Sequence, residues 1–322
     1  MSIFRLGIRA FRIGLATAFL AGCGAVQSTE PGALPLSSAT NTLAKVQEHS
    51  WMLPEAKNED LIYAVGGCGG TCVLSYPGGT IVGNLDTSGS ADCSDSKGNV
   101  FITGSTSVLE YAHGGTSPIN TLKLPGDLAL GCSVDPTTGN LAVVFSSSYG
   151  DIAVFPNAQG TPVFYNAPIN ALFCGYDNAG NLFVDGLTGN APALSELPAG
   201  SSVFTNLSLS GITGSPEQVQ WDGKHLTYET VIKGNVNVAR LSLSDTTAFV
   251  VGKTHFKGVT GFASQSWIYK STVFVPFGTA GQHAITPKIG AWKYPRGGKP
   301  QAKYTNFQGS TNFVGVTLSV YS

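Results

Sequence analysis

The apolar residues of this chain come in short runs separated by turn-forming residues, and three of these runs recur at one spacing. A Gly-Asn pair followed by an apolar stretch occurs at Gly98-Asn99 (Val100-Phe101-Ile102), at Gly139-Asn140 (Leu141-Ala142-Val143-Val144) and at Gly180-Asn181 (Leu182-Phe183-Val184). The copies lie 41 residues apart, twice. A short β-type run with a cysteine precedes each: Ala91-Asp92-Cys93-Ser94, Gly131-Cys132-Ser133-Val134 and Phe173-Cys174-Gly175-Tyr176. An aspartate (Asp95, Asp135, Asp177, with a degenerate copy at Asp222-Gly223-Lys224) stands between the two runs. Asp and Asn bond their own backbone in turns and Gly supplies positive φ, so these elements predict tight strand-to-strand turns.

A repeat of about 40–50 residues built from short strands and tight turns is the pattern of a propeller blade. With four strands A to D per unit, the Asp…Gly-Asn element is the A–B turn. Strand C ends recur at Tyr76-Pro77-Gly78-Gly79, Tyr111-Ala112-His113-Gly114-Gly115, Phe155-Pro156, Leu197-Pro198-Ala199-Gly200 and Tyr294-Pro295-Arg296-Gly297-Gly298. Proline cannot donate to a central ladder, so it marks the end of that strand. A fifth unit spans about Gln218 to Val251 and a sixth about Gly261 to Phe307.

The first unit begins with a B-type strand at Leu61-Ile62-Tyr63-Ala64-Val65, and the chain finishes with an orphan alternating run, Phe313 to Val320. One missing and one leftover strand predict that the C-terminal strand completes the first blade, which removes exposed sheet edges. The expected fold is all-β: a six-bladed β-propeller of four-stranded blades with the ring closed in this way. The turn motifs resemble those of the NHL-repeat, TolB-like and gluconolactonase-like propellers over nearly the whole mature chain. That resemblance speaks for fold more than function, because propellers host many unrelated activities.

The N-terminus has a different pattern. Arg5, Arg9 and Arg12 precede a short apolar core, Ile13 to Leu20, too short to span a bilayer as a mature helix. The segment ends in Leu20-Ala21-Gly22-Cys23, which resembles the bacterial lipoprotein signal motif at all four positions. The resemblance implies a signal peptide over residues 1–22 and acylation of Cys23, enough to anchor a protein without a transmembrane helix. It also implies an extracytoplasmic location in the cell envelope, and Gly24 in place of Asp favours the outer membrane. Residues 23–58 are rich in Ala, Ser, Thr, Pro and Gln and are expected to form a flexible tether, although Trp51 and Leu53 have the character to dock on the folded body.

Composition narrows the function classes. With 18 basic and 19 acidic residues the net charge is −1, and no Lys/Arg cluster of the kind nucleic acid requires is present. The 41 glycines fit a chain of many tight turns. In an oxidising compartment Cys68 and Cys72 are expected to form a local disulfide, because no second Cys/His pair lies nearby at zinc spacing. Cys93, Cys132 and Cys174 fall on equivalent inner strands, as buried packing residues or with two of them bridged.

No catalytic constellation emerges from the residues. The gluconolactonase-like resemblance implies a calcium ion in the central channel. Asp127, Asn170, Glu217 and Asn312, at or just before inner strands, are the residues in position to supply oxygen ligands for a lactonase- or esterase-like hydrolase. The favoured expectation is a non-enzymatic binding or scaffold module, a monomer attached to the membrane by its lipid and recognising a protein or glycan. Trp267, Trp292, Tyr294 and Tyr149 are its candidate docking aromatics.

Overall fold

The computed structural model describes residues 49–125, 128–146, 151–259, 262–280, 285–305, 307 and 313–322. Cys23, Asp127, Tyr149 and Asn312 lie outside the described residues.

The Asp…Gly-Asn elements make tight turns, and their hydrogen bonds show why. Asp95 Oδ1 accepts the backbone N–H groups of Lys97 (2.9 Å) and Asn99 (2.8 Å), while its Oδ2 accepts the Asn99 side-chain amide. Asp177 repeats this with Ala179 and Asn181. Asp135 uses the backbone of Thr137 and the hydroxyls of Thr137 and Thr138. Gly98, Gly139 and Gly180 have φ of 84°, 74° and 81°, a conformation that glycine adopts at little cost.

Each turn opens an antiparallel meander, and the meanders form a propeller-like set of small sheets, I to V in chain order. Sheet II runs Ala91–Ser94, Val100–Thr103, Ser107–Tyr111, Pro118–Lys123, and sheet III runs Leu128–Val134, Leu141–Ser146, Ile152–Phe155, Val163–Tyr165. Sheet V is built on the Thr272–Ala280 and Ile285–Lys293 pair, with Phe262–Ala263, Trp267–Tyr269 and Ala302–Tyr304 flanking.

Sheet I is completed by the far end of the chain. Gly315–Ser319 pairs antiparallel with Leu61–Gly67, from Leu61 opposite Ser319 to Val65 opposite Gly315. His113, in a sheet II turn, is half-buried, and its Nδ1 lies 2.6 Å from Ser319 Oγ, tying that turn to the closing strand.

The folded body starts earlier than composition indicated. Trp51–Met52 adds a strand to the outer edge of sheet I against Ile81–Leu85, and a 3-10 turn at Pro54–Asn58 buries Ala56 completely. Trp51, Met52 and Ala56 supply enough apolar contact to hold a stretch that the tether boundary at residue 58 left outside.

Sheet IV also departs from the expected unit. It has eight strands: the meander Asn170–Tyr176, Leu182–Thr188, Ala191–Leu197, Thr205–Ser210 joins the meander Ser215–Trp221, Leu226–Ile232, Asn235–Ser244, Thr247–His255. The junction is a parallel pairing of the two outermost strands, from Ser208 opposite Thr247 to Ser210 opposite Phe249. The Pro-Gly turn of the other units is missing here. A tight turn at Asp245 (φ 50°) instead lets the last hairpin run long enough to reach its neighbour.

The core lies between sheets. Alternation along each strand sends successive side chains to opposite neighbours. Leu141, Val143 and Phe145 pack with Cys93, Phe101 and Leu122 of sheet II, whereas Ala142 and Val144 pack with Cys174, Leu182 and Val184 of sheet IV. Phe274 and Ile289 of sheet V meet Ile62, Leu74 and Leu318 of sheet I in the same way. Buried on both faces, these strands read in the sequence as unbroken apolar runs.

Candidate functional site at the central channel

The inner strands face one another around the centre and are stitched together by polar side chains. Ser94 Oγ donates to Leu318 O (2.7 Å), and the Tyr176 backbone N–H donates to Ser133 Oγ (3.1 Å). Gln265 Nε2 donates to Asp92 O (2.7 Å) while its Oε1 accepts the Asp92 N–H (3.3 Å). Gln220 clamps Ile268 by both backbone groups, at 3.0 Å and 2.9 Å.

At the end of the channel formed by the A–B turns lies a hollow of 530 Å³, reached by inner strands of sheets II to V. Its aromatic lining is Phe101, Tyr176, Trp221 and Trp267; the two tryptophans are half-buried. Gln220 precedes Trp221 and Ile268 follows Trp267, so the Gln220–Ile268 clamp holds the two indole-bearing strands side by side. Of the aromatics expected to dock a partner, Trp267 is the one in this position. Trp292 is fully buried against Phe256 (5.3 Å between ring centres) and Phe277, and buried Tyr294 donates its hydroxyl to Asp222 Oδ2 at 2.5 Å. Both pack between sheets IV and V, where the long Asn235–Ser244 strand presents Val236 and Val238 to them.

Sheet IV carries a group of buried and half-buried carboxyl side chains. Three inner strands carry a β-bulge at one register position, occupied by Leu130, by Leu172 and by Glu217. Bulges re-aim a side chain, and here an acid stands where two earlier copies have leucine. Burial pushes Glu217 up to about 7. Behind it, Asp185 and Glu229 occupy equivalent places on the second strand of each meander, opposite Phe173 and Gln218. Burial raises Glu229 to about 8, with the Ser266 hydroxyl bonded to its Oε2 opposing the shift and the charges of Glu217 and Asp185 adding to it. Burial likewise holds Asp185 well above the usual carboxylate range, against the Phe173 N–H on its Oδ1 (2.8 Å). Asp185 Oδ2, Glu229 Oε1 and Gln218 Oε1 are buried without a hydrogen-bond partner.

Asn170 is on the same inner strand as the Leu172 bulge. It is exposed at the start of its strand, opposite Leu187, in register with Ser215 and two residues short of the bulge position. Among the described residues, no group of three or more His, Cys, Asp or Glu is placed to hold a metal ion.

Asp185 and Glu229 were not singled out in the sequence, although each interrupts an apolar run (Leu182-Phe183-Val184-Asp185 and Leu226-Thr227-Tyr228-Glu229). An acid on a strand buried on both faces is the signal that would have found them.

Cys132 and Cys174 line the same hollow. Cys93 and Cys132 form a disulfide between the inner strands of sheets II and III, with Cα atoms 5.8 Å apart, and Cys174 is a free buried thiol whose titration burial drives upward. Cys68 and Cys72 are joined within sheet I, with Cα atoms 5.4 Å apart.

No family model matches the chain, and no curated protein matches it. Solved structures do resemble it. One is a nidogen/laminin complex, at 13% identity and a TM-score of 0.60, covering 82% of this chain and 98% of that one. Another is a protein of unknown function from Bacteroides caccae, at 11% identity and a TM-score of 0.61, covering 81% and 99%. At such identities the likeness speaks for the fold alone. The chain is a β-propeller.

Proposed function

We propose that this chain is a lipid-anchored, extracytoplasmic binding module: a six-bladed propeller of the NHL-repeat, TolB-like and gluconolactonase-like kind. Six blades result when sheet IV is counted as two blades joined at their outer strands. The packing supports that count, because Phe183 and Leu194 of its first meander meet Val219, Leu226 and Leu241 of its second as neighbouring sheets do elsewhere.

The observation that carries the binding reading is the 530 Å³ hollow at the A–B-turn end, with two half-buried tryptophans fixed at its wall. Its size falls in the range of small-ligand sites, about 300–1,000 Å³. Trp221 and Trp267 are two of the four tryptophans of the chain, so indole fluorescence reports on occupancy. Adding a soluble cell-envelope extract to the purified protein should change that fluorescence, and Trp267→Phe should abolish most of the change. An unaltered spectrum at every extract concentration would overturn the reading.

The anchor rests on Leu20-Ala21-Gly22-Cys23. Replacing Cys23 with Ser should abolish lipid labelling and leave the precursor uncut at that position. Normal maturation and membrane retention of the variant would sink it.

A second reading, a lactonase- or esterase-like hydrolase in the channel, is favoured by one observation. Glu217, held at about 7, is a carboxyl able to give and take a proton near neutrality. A panel of lactones and esters tests it. If one is turned over, Glu217→Gln should slow it by about 10²–10⁴-fold, the usual worth of a general acid or base. The hydrolase is ruled out if no member of the panel is turned over, or if the variant is as fast as the parent.

A further inference from the structure

The hollow does not end at the channel. A second one, of 280 Å³, lies on the same turn face between sheets III and IV, with Tyr165 on its wall and Pro198, Ala199 and Gly200 at its outer side. The two share Asp135, Thr137, Thr138 and Tyr176 as lining. They adjoin across these residues, and taken together they give a bent groove with Trp221 and Trp267 at the central end, Tyr176 at the bend and Tyr165 toward the rim.

We propose that this groove binds a neutral oligosaccharide, several sugar units long, laid from the channel mouth outward between the two sheets. The inference rests on the reading of the hollow as a binding site and adds the class of ligand and its path.

Three features of the lining carry it. The first is the aromatic surface at intervals along the groove. Flat rings with an apolar face and a polar edge suit the alternating C–H face and hydroxyl rim of a pyranose. Tyr176 is almost fully buried and shapes the bend, while the half-buried rings of Trp221, Trp267 and Tyr165 offer the contact area.

The second is charge. Three acids line the hollows: Asp95 and Asp135 have oxygens engaged within their own turns, and half-buried Glu110 is bonded to the Asn120 side chain. Asp95 accepts from Lys97 and Asn99, and Asp135 accepts from Thr137 and Thr138. Lys97 is the one cation along either hollow among the described residues, too little to hold a phosphate or a polyanion. What remains is hydroxyl and amide: Ser94, Ser133, Gln220 and Asn178 in the first hollow, Asn140 and Ser201 in the second.

The third is an unmet acceptor. Gln218 lines the central hollow, is 4% exposed, and its Oε1 has no hydrogen-bond partner. A buried carbonyl of this kind gains from an O–H donor, and a sugar carries several. The scaffold is also set in advance. Gln220 is bonded to Ile268, and Ser133 to the backbone of Tyr176, so binding orders little that is not already ordered.

Titration calorimetry of the purified chain against gluco-, manno- and galacto-configured neutral hexasaccharides, with the corresponding monosaccharides alongside, tests the proposal. At least one hexasaccharide should bind at least tenfold more tightly than its monosaccharide. Trp267→Ala, at the central end, and Tyr165→Ala, at the rim, should each weaken it by tenfold or more. Both variants must first show a parental circular dichroism spectrum; if either is misfolded, Trp267→Phe and Tyr165→Leu replace them. If no hexasaccharide binds while the envelope extract still perturbs the indole fluorescence, the ligand class is wrong and the binding site stands. If neither acts, both readings fall together. A hexasaccharide that binds equally well to the Tyr165 variant would overturn the path through the second hollow.

Discussion

A chain truncated after Phe307 is expected to be insoluble or unfolded, although it loses only its tail. The segment removed contains Gly315–Ser319, all five residues of which are buried, together with buried Phe313. Phe313, Val316 and Leu318 are each 1% exposed or less, and burying such a side chain stabilises by about 1.5–3 kcal/mol. Their sum rivals the whole stability of an ordinary domain, about 5–15 kcal/mol. The loss goes further, because deletion uncovers Ile62 and Ala64, leaves the Leu61–Gly67 strand as an unpaired edge, and removes the acceptor of the Ser94 hydroxyl on the inner strand of sheet II. A linear stack of sheets would lose a terminal strand and fold with a modest deficit. A graded companion, Leu318→Ala in the full chain, should cost about 2–5 kcal/mol, read as a shift of the urea midpoint. A soluble truncated protein with the parental melting temperature would exclude the closed ring.

That closing strand was legible because it is a matter of counting: Leu61 begins a strand with no predecessor, and the run ending at Val320 has no partner left. The A–B turns were legible for a local reason. Asp95, Asp135 and Asp177 hold their turns with bonds that reach at most four residues ahead. What the sequence did not yield depends on contacts between distant segments. Nothing local in Thr205–Ser210 announces that it will lie parallel to Thr247–His255, and that pairing turned two expected units into one eight-stranded sheet. Trp267 and Trp292 look alike as residues, yet one lines the hollow and the other is in the core, decided by which face of each strand meets a neighbouring sheet. Glu217 was picked out by its place before an inner strand. Its neighbours Asp185 and Glu229 were missed because the acids come together only when two meanders pack side by side.

Those acids give the protein an unusual dependence on pH. Folding raises the pKa of Glu229 from 4.5 to about 8, raises that of Glu217 from 4.5 to about 7, and holds Asp185 and Asp92 well above 3.8, in each case through burial first. A group that binds its proton more tightly when folded contributes its full stability below the unfolded pKa and loses it as pH rises through the folded one. The chain should therefore be most stable near pH 4–5 and weaken steadily toward pH 9, by about 1.4 kcal/mol per pH unit for each group in its window. For Glu229 alone that window implies a loss on the order of 5 kcal/mol. The loss steepens as Glu217, Asp185 and Glu229 begin to repel one another. On the acid side the limit comes from groups of the opposite kind. Asp222 is desolvated, yet Tyr294 and the His225 and Lys224 N–H groups hold its pKa below 3.8, so its contribution disappears as pH falls through that lower value. Melting temperatures from pH 4 to 9 should show the decline directly. The double variant Asp185→Asn/Glu229→Gln keeps the shapes and removes two of the protons at issue, so its curve should be much flatter and should lie above the parent at pH 9. A parental curve that stays level or rises between pH 5 and 9 would mean that these carboxyls are ionised in the folded chain.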